Sequence, residues 1–171
     1  MFWGQLTRLG CAAALATALA DQASKLWVIN VLHIRKGMRE PLTRFLDLTL
    51  YYNRGISYGL FQQEGPLGQW VLLAVAAVAV ALLWIWLTRT GSWLTALSLG
   101  LIIGGAMGNA IDRFFRDGVA DFILFHITTE TIHFEWYAFN LADAAIVAGV
   151  AGLLFESLVG ERAAKAPRSP T

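Results

Sequence analysis

Two stretches of this chain, Gly65 to Thr88 and Thr90 to Ile111, contain no charged side chain, and each is longer than the roughly 20 apolar residues that carry a helix across a bilayer. In hydrocarbon a backbone satisfies its N–H and C=O groups only within a helix or a closed barrel, so both runs predict membrane helices. A third run, Trp136 to Phe155, is broken only by Asp143, and a fourth, about Leu9 to Leu32, carries Asp21 and Lys25 in its second half. Composition agrees, since 57% of the residues are apolar and only 15% charged, too oily for an ordinary soluble domain of 171 residues. The expected fold is an all-α membrane protein with four transmembrane helices, near 9–32, 67–88, 92–113 and 136–158. One domain covers 1–160, and 161–171, with two prolines and small polar residues, reads as a disordered tail.

The connections carry a second kind of pattern. In Phe45 to Tyr52 leucines alternate with Asp47 and Thr49, the period of a half-buried strand, and Phe122 to Trp136 reads as a hairpin around Thr128-Thr129-Glu130. A small β-sheet is therefore expected in the segments 35–64 and 114–135, both leaving the bundle on one membrane side. The turn at Arg89, Thr90 and Gly91 is so short that the second and third helices must be antiparallel neighbours. A net charge of +1 gives no electrostatic basis for nucleic-acid binding. The single Cys11 cannot form an internal disulfide, and the few residues before it leave no room for a cleavable signal segment, so the N-terminus reads as retained.

Ionisable and amide groups within or beside membrane helices are expensive and point to function. Asn109, Asp112 and Arg113 share one helical face at the end of the third helix, and Asn140 and Asp143 lie together near the start of the fourth. Antiparallel order brings those ends to one membrane face, where Asp121 also emerges. Two nearby carboxylates suit water-mediated peptide cleavage, one ionised to take a proton and one protonated to give it. A blander reading pairs Asp112 with Arg113 and leaves Asp121 as a solvated loop acid. Gly100, Gly104 and Gly108 recur every four residues and read as a close-packing stripe, with Gly105 off it. His126, Glu130 and His133 lack metal-ligand spacing, so neither a metal nor a cofactor is expected.

The blocks Asp21-Gln22-Ala23-Ser24-Lys25, Tyr52-Asn53-Arg54-Gly55 with Tyr58-Gly59, Gly104-Gly105-Ala106-Met107-Gly108-Asn109-Ala110-Ile111-Asp112-Arg113, Val119-Ala120-Asp121-Phe122-Ile123 and Phe139-Asn140-Leu141-Ala142-Asp143 resemble, in order, those of the lipoprotein signal peptidases. The resemblance implies an aspartyl endopeptidase that cuts the signal peptide from a diacylglyceryl-modified prolipoprotein before its lipid-modified cysteine. Asp121 and Asp143 match the family's catalytic pair, while Asp21, Lys25, Asn53, Gly105, Gly108, Asn109, Arg113, Asn140 and Ala142 match residues that bind substrate or support the site. Tyr52, Tyr58, Ala120 and Ala144 depart mildly from the family pattern. The implied partners are prolipoprotein substrates and membrane lipid, the implied state a monomer. The implied place is the bacterial inner membrane, with both termini cytoplasmic and the active site at the outer face.

Two arguments disagree about that orientation. With both termini inside, Arg35, Lys36, Arg39, Arg44, Arg54, Arg113 and Arg116 lie outside, more basic residues than the inner face carries, against the positive-inside tendency. The family orientation is preferred here. The rival readings are a small proton-coupled transporter subunit using Asp143 as a relay, and a structural adaptor held by the glycine stripe. The first is opposed by the acids' place near one interface and the lack of repeats, the second by the convergent carboxylates.

Overall fold

The computed structural model of the chain describes residues 3–55, 66–116 and 118–165. Helices α1 (Thr7–Asn30), α2 (Pro66–Leu87), α3 (Trp93–Phe115) and α4 (Leu141–Lys165) form a bundle in which α3 packs against the other three. Its glycines explain that central place. A Cβ on Gly100 would lie 2.5 Å from the Gly10 carbonyl oxygen of α1, and one on Gly105 would lie 2.5 Å from the Ala142 oxygen of α4. Bare backbone on two faces thus lets α3 touch two neighbours at once. Ala14, Leu87, Ala96, Leu99 and Ile103 fill the core between α1, α2 and α3.

Among the described residues, three helical segments, Leu67–Leu87, Trp93–Phe115 and Leu141–Val159, are long and apolar enough to cross a membrane. Helix α1, which carries Arg8, Asp21 and Lys25, is not among them. On α2 the large residues Leu67, Trp70, Val71, Val75, Val78 and Leu82 all face outward, as they do where the surrounding solvent is lipid.

Between the helices lies one antiparallel sheet of β1 (Arg39–Pro41), β2 (Leu46–Asn53), β3 (Val119–Thr128) and β4 (His133–Glu135), in the order β1-β2-β3-β4. The alternation in β2 predicts leucines inside and polar residues outside; instead both faces are covered. Leu50 and the half-buried Leu48 join Val28, Ile34, Ala120 and Phe122 in a second core that seats the sheet on the end of α1. On the other face Asp47 is buried because Arg39 and His126 bond to it, and Arg39 reaches on to Glu135.

The apolar run from Trp136 to Phe155 misplaces the start of its helix. Phe139 is still extended and exchanges backbone bonds with Ile123 (2.9 Å each way), and α4 begins only at Leu141. Asn140 Oδ1 accepts from the Asp143 N–H at 3.0 Å while Asp143 Oδ2 accepts from the Asn140 N–H at 3.2 Å. This reciprocal cap, which an apolar run does not register, sets the boundary. At its other end α4 runs on to Lys165, past Glu161, where the sequence places the start of the tail; Ala163, Ala164 and Lys165 are strong helix formers. Residues 166–171, Tyr58 and Gly59 lie outside the described residues.

Candidate active site

The end of α3, the first turn of α4, the start of β3 and the second half of α1 meet at one end of the bundle. Register in the sheet sets Asp121 opposite Tyr51 and Val119 opposite Asn53, so β2 delivers Asn53 beside Asp121. Asn140 stands between the two acids. Its Nδ2 donates to Asp121 Oδ1 at 2.6 Å and to Asn109 Oδ1 at 3.2 Å, and its Oδ1 takes the Asp143 N–H. Asn109 Nδ2 donates to Asp143 Oδ1 at 2.8 Å, and the Asn53 side chain hydrogen-bonds Asp121.

The environments of the two carboxyl groups differ. Asp121 is only 4% exposed, on a strand. Burial, reinforced by the negative charge of Asp143, pushes its carboxyl up to about 7, against the lowering effect of the Asn140 and Asn53 hydrogen bonds and of Lys25. Asp143 is half-buried in the first turn of α4, where the unpaired N–H groups of a helix terminus favour negative charge. Burial and the neighbouring negative charge thus favour the protonated form of Asp121.

Behind them lies a buried ionic layer. Lys25 Nζ, fully buried, contacts Asp21 Oδ2 at 2.8 Å, Asp112 Oδ2 at 2.9 Å and Asn109 Oδ1 at 3.3 Å. Asp21 Oδ1 accepts the Ala142 N–H and Asp112 Oδ2 the Ala120 N–H, each at 3.0 Å. Gly108 makes room, since a Cβ there would lie 2.5 Å from Asp21 Oδ2. Arg113 donates to the carbonyls of Asn109 (3.3 Å) and Gly55 (3.1 Å), and its buried Nε has no partner among the described residues.

Asp21, Lys25, Asn53, Gly105, Gly108, Asn109, Asp121, Arg113, Asn140, Ala142 and Asp143 therefore lie in this cluster or pack directly against it. The blander pairing of Asp112 with Arg113 is not what forms. Adjacent residues on a helix point apart, and Asp112 bonds instead to Lys25 and to Arg116, one turn on. Two contributors escape sequence reasoning as site residues. Gln22 Nε2 donates to Gly108 O at 3.0 Å and Asp112 Oδ1 at 3.1 Å, while its Oε1 accepts from Arg116 at 3.3 Å. The i, i+4 spacing of Asp112 and Arg116 is the signal that could have found the arginine. His126, by contrast, belongs to the sheet, where Nε2 lies 3.1 Å from Asp47 Oδ1.

Comparison with known proteins follows the same lines. Residues 13–159 match the model of the family described as signal peptidase (SPase) II. The chain is 52% identical over 160 residues to the lipoprotein signal peptidase of Nitrobacter hamburgensis, covering 94% of this chain and 98% of that one. It is 50% identical over 161 residues to that of Rhodopseudomonas palustris strain TIE-1, with the same coverage of 94% and 98%. Its fold resembles a bacterial membrane enzyme solved by the in meso method at 2.3 Å, with TM-score 0.72 and 20% identity over 95% of this chain and 94% of that one. A second such structure, at 1.9 Å, gives TM-score 0.67 and 22% identity over 92% and 97%.

Proposed function

This chain belongs to the signal peptidase II family, membrane peptidases that remove signal peptides from prolipoproteins, and we propose that Asp121 and Asp143 make the cut as a proton-sharing pair. That membership sets aside the transporter-subunit reading. The observation that carries the dyad is Asn140, bonded through its side chain to the buried Asp121 and through its oxygen to the first turn holding Asp143. Water placed between the carboxyl groups loses a proton to Asp143 as its oxygen attacks the scissile carbonyl carbon, and Asp121 gives its proton to the carbonyl oxygen. Collapse of the resulting diol breaks the C–N bond. The proton on Asp143 passes to the leaving nitrogen, and a diol proton returns to Asp121. The orphaned Nε of Arg113 suits a substrate carbonyl, which would satisfy a donor otherwise buried at a cost.

The substrate is a prolipoprotein whose cysteine carries diacylglycerol, cut just before that residue. Four helices span the bacterial inner membrane. Helix α1 acts as the fourth because Asp21 and Lys25 are turned wholly inward while Leu15, Leu19, Leu26 and Trp27 face out. The sheet and acids lie at the outer face and both termini in the cytoplasm. That Arg39 is taken up by Asp47 and Glu135 gives part of the outer basic excess a structural task.

The test is cleavage of a diacylglyceryl-modified prolipoprotein by the purified full chain in detergent. Asp121→Asn and Asp143→Asn each keep side-chain size but cannot relay a proton, so each should abolish product while leaving a folded protein. Near wild-type turnover by either variant refutes the dyad.

A further inference from the structure

A buried ammonium has three donors and no acceptor, so whatever oxygen it touches is fixed as an acceptor. Lys25 divides its three contacts between Asp21, Asp112 and Asn109. The third contact decides something beyond stability. Asn109 Oδ1 receives both Lys25 Nζ at 3.3 Å and Asn140 Nδ2 at 3.2 Å, two groups that can only donate. The amide of Asn109 is thereby held with Nδ2 toward Asp143 Oδ1, at 2.8 Å. An amide flipped about its long axis would offer Asp143 an oxygen and so repel the carboxylate the reaction needs.

The other two contacts act on the backbone. Asp21 holds the N–H of Ala142 and Asp112 that of Ala120, the residues just before Asp143 and Asp121. Both carboxylates lean on the same ammonium, so the two pins form one strut between the acids. We infer that Lys25 is a positioning residue for cleavage: it aims the Asn109 amide at Asp143 and braces, through Asp21 and Asp112, the backbone carrying each acid. The inference rests on the dyad reading above. It assigns to a first-helix lysine an effect on the reacting carboxyls, which it does not touch.

The charged groups facing the dyad are Asp21 and Lys25 from α1, and Asp112, Arg113 and Arg116 from α3; Asp121 itself comes from β3 and Asp143 from α4. Removing the ammonium frees the Asn109 amide to flip and leaves the layer one positive charge short. Both changes favour a protonated pair. The low-pH limb of the activity profile, which reports the pair as a unit, therefore moves to higher pH.

Two variants of the full chain test this with a synthetic diacylglyceryl-prolipoprotein peptide: Lys25→Met, and the neutral triple variant Asp21→Asn, Lys25→Met, Asp112→Asn. In the triple variant the asparagine oxygens still accept from Ala142 and Ala120, and Arg116, the cation that loses a carboxylate, is partly exposed and still bonded to Gln22, so folding survives where the single change threatens it. We expect both to lose roughly ten- to a hundredfold in kcat, the effect of a misdirected hydrogen bond to a charged group, with KM changed less than about threefold. In Lys25→Met the low-pH limb should also rise by about one unit; in the triple variant the loss of two negative charges with one positive opposes that rise, so kcat is its readout. A triple variant with wild-type kcat would overturn the inference, leaving Lys25 as a tie between two carboxylates. Inactive Asp121→Asn and Asp143→Asn in the same assay would show that the dyad stands even so.

Discussion

Replacing Asp121 by Asn should make the protein more stable as it makes it inactive, and the gain should depend on pH. In the folded state the Asp121 carboxyl is raised from 3.8 to about 7 by burial and by the neighbouring Asp143. The native state thus holds a proton the unfolded chain has released between those values, and stability falls as pH rises through that window. Roughly three units at about 1.4 kcal/mol each make the ionisation of Asp121 cost about 4 kcal/mol once pH exceeds 7. The amide that replaces the carboxyl in Asp121→Asn cannot ionise, yet its oxygen still accepts from Asn140 Nδ2. Between pH 4.5 and 8 the variant should gain about 3 kcal/mol on the wild type, roughly 6–12 °C in Tm. Thermal unfolding of both proteins in detergent, followed across that range, measures it. Parallel curves would refute the reasoning, because they would mean that Asp121 sits in water or already shares its charge with a partner at all pH values.

Alanine at Asn109, Arg113 or Asn140 should slow prolipoprotein cleavage on the order of ten- to a thousandfold, the loss of a preorganised polar contact; unchanged rates for all three would reduce them to structural residues. For orientation, in a Cys11→Ser background, Glu130→Cys in the exposed β3–β4 turn should react with a membrane-impermeant thiol reagent in intact spheroplasts. Gly91→Cys, at the opposite end of the bundle with open space around its Cβ position, should react only after lysis. The reverse pattern would put the acids on the wrong side for exported substrates.

How much of this the sequence discloses depends on which force sets each feature. Helices α2 and α3 are legible because hydrocarbon leaves a charge-free run little choice, and the inward placement of Asp143 follows from the cost of an acid there. The start of α4 is misread because Trp136 to Phe139 are as apolar as a helix, yet Trp136 donates its N–H to Phe125 and Phe139 exchanges backbone bonds with Ile123 on β3. In β2, alternation assigns Asp47 to the outer face, yet Arg39 and His126 from neighbouring strands make its burial tolerable. That Asn140 and Asp143 come together is readable from their i, i+3 spacing, but their reciprocal cap is not, since the apolar run continues through it. Asn53 beside Asp121 is not, since only the β2–β3 register joins them.

The same distinction explains why so many polar groups can sit at the end of a membrane bundle. Asp21, Asp112 and Asp143 supply three carboxylates, and Lys25, Arg113 and Arg116 three cations, all in or against one layer. With Asp121 protonated the set is neutral. Its charges stay buried because each has an opposite partner or a donated hydrogen bond, the condition under which burial is tolerated. Burial, with the negative charge of Asp143, holds the Asp121 proton to about pH 7, and Lys25 works against that hold. If Asp121 is the acid of the proposed dyad, the proton it offers depends in part on Lys25, a residue remote from the substrate. Any substitution that removes one cation from the layer should strengthen the hold on that proton and so make Asp121 a poorer acid, even where the side chains of the proposed dyad have not moved.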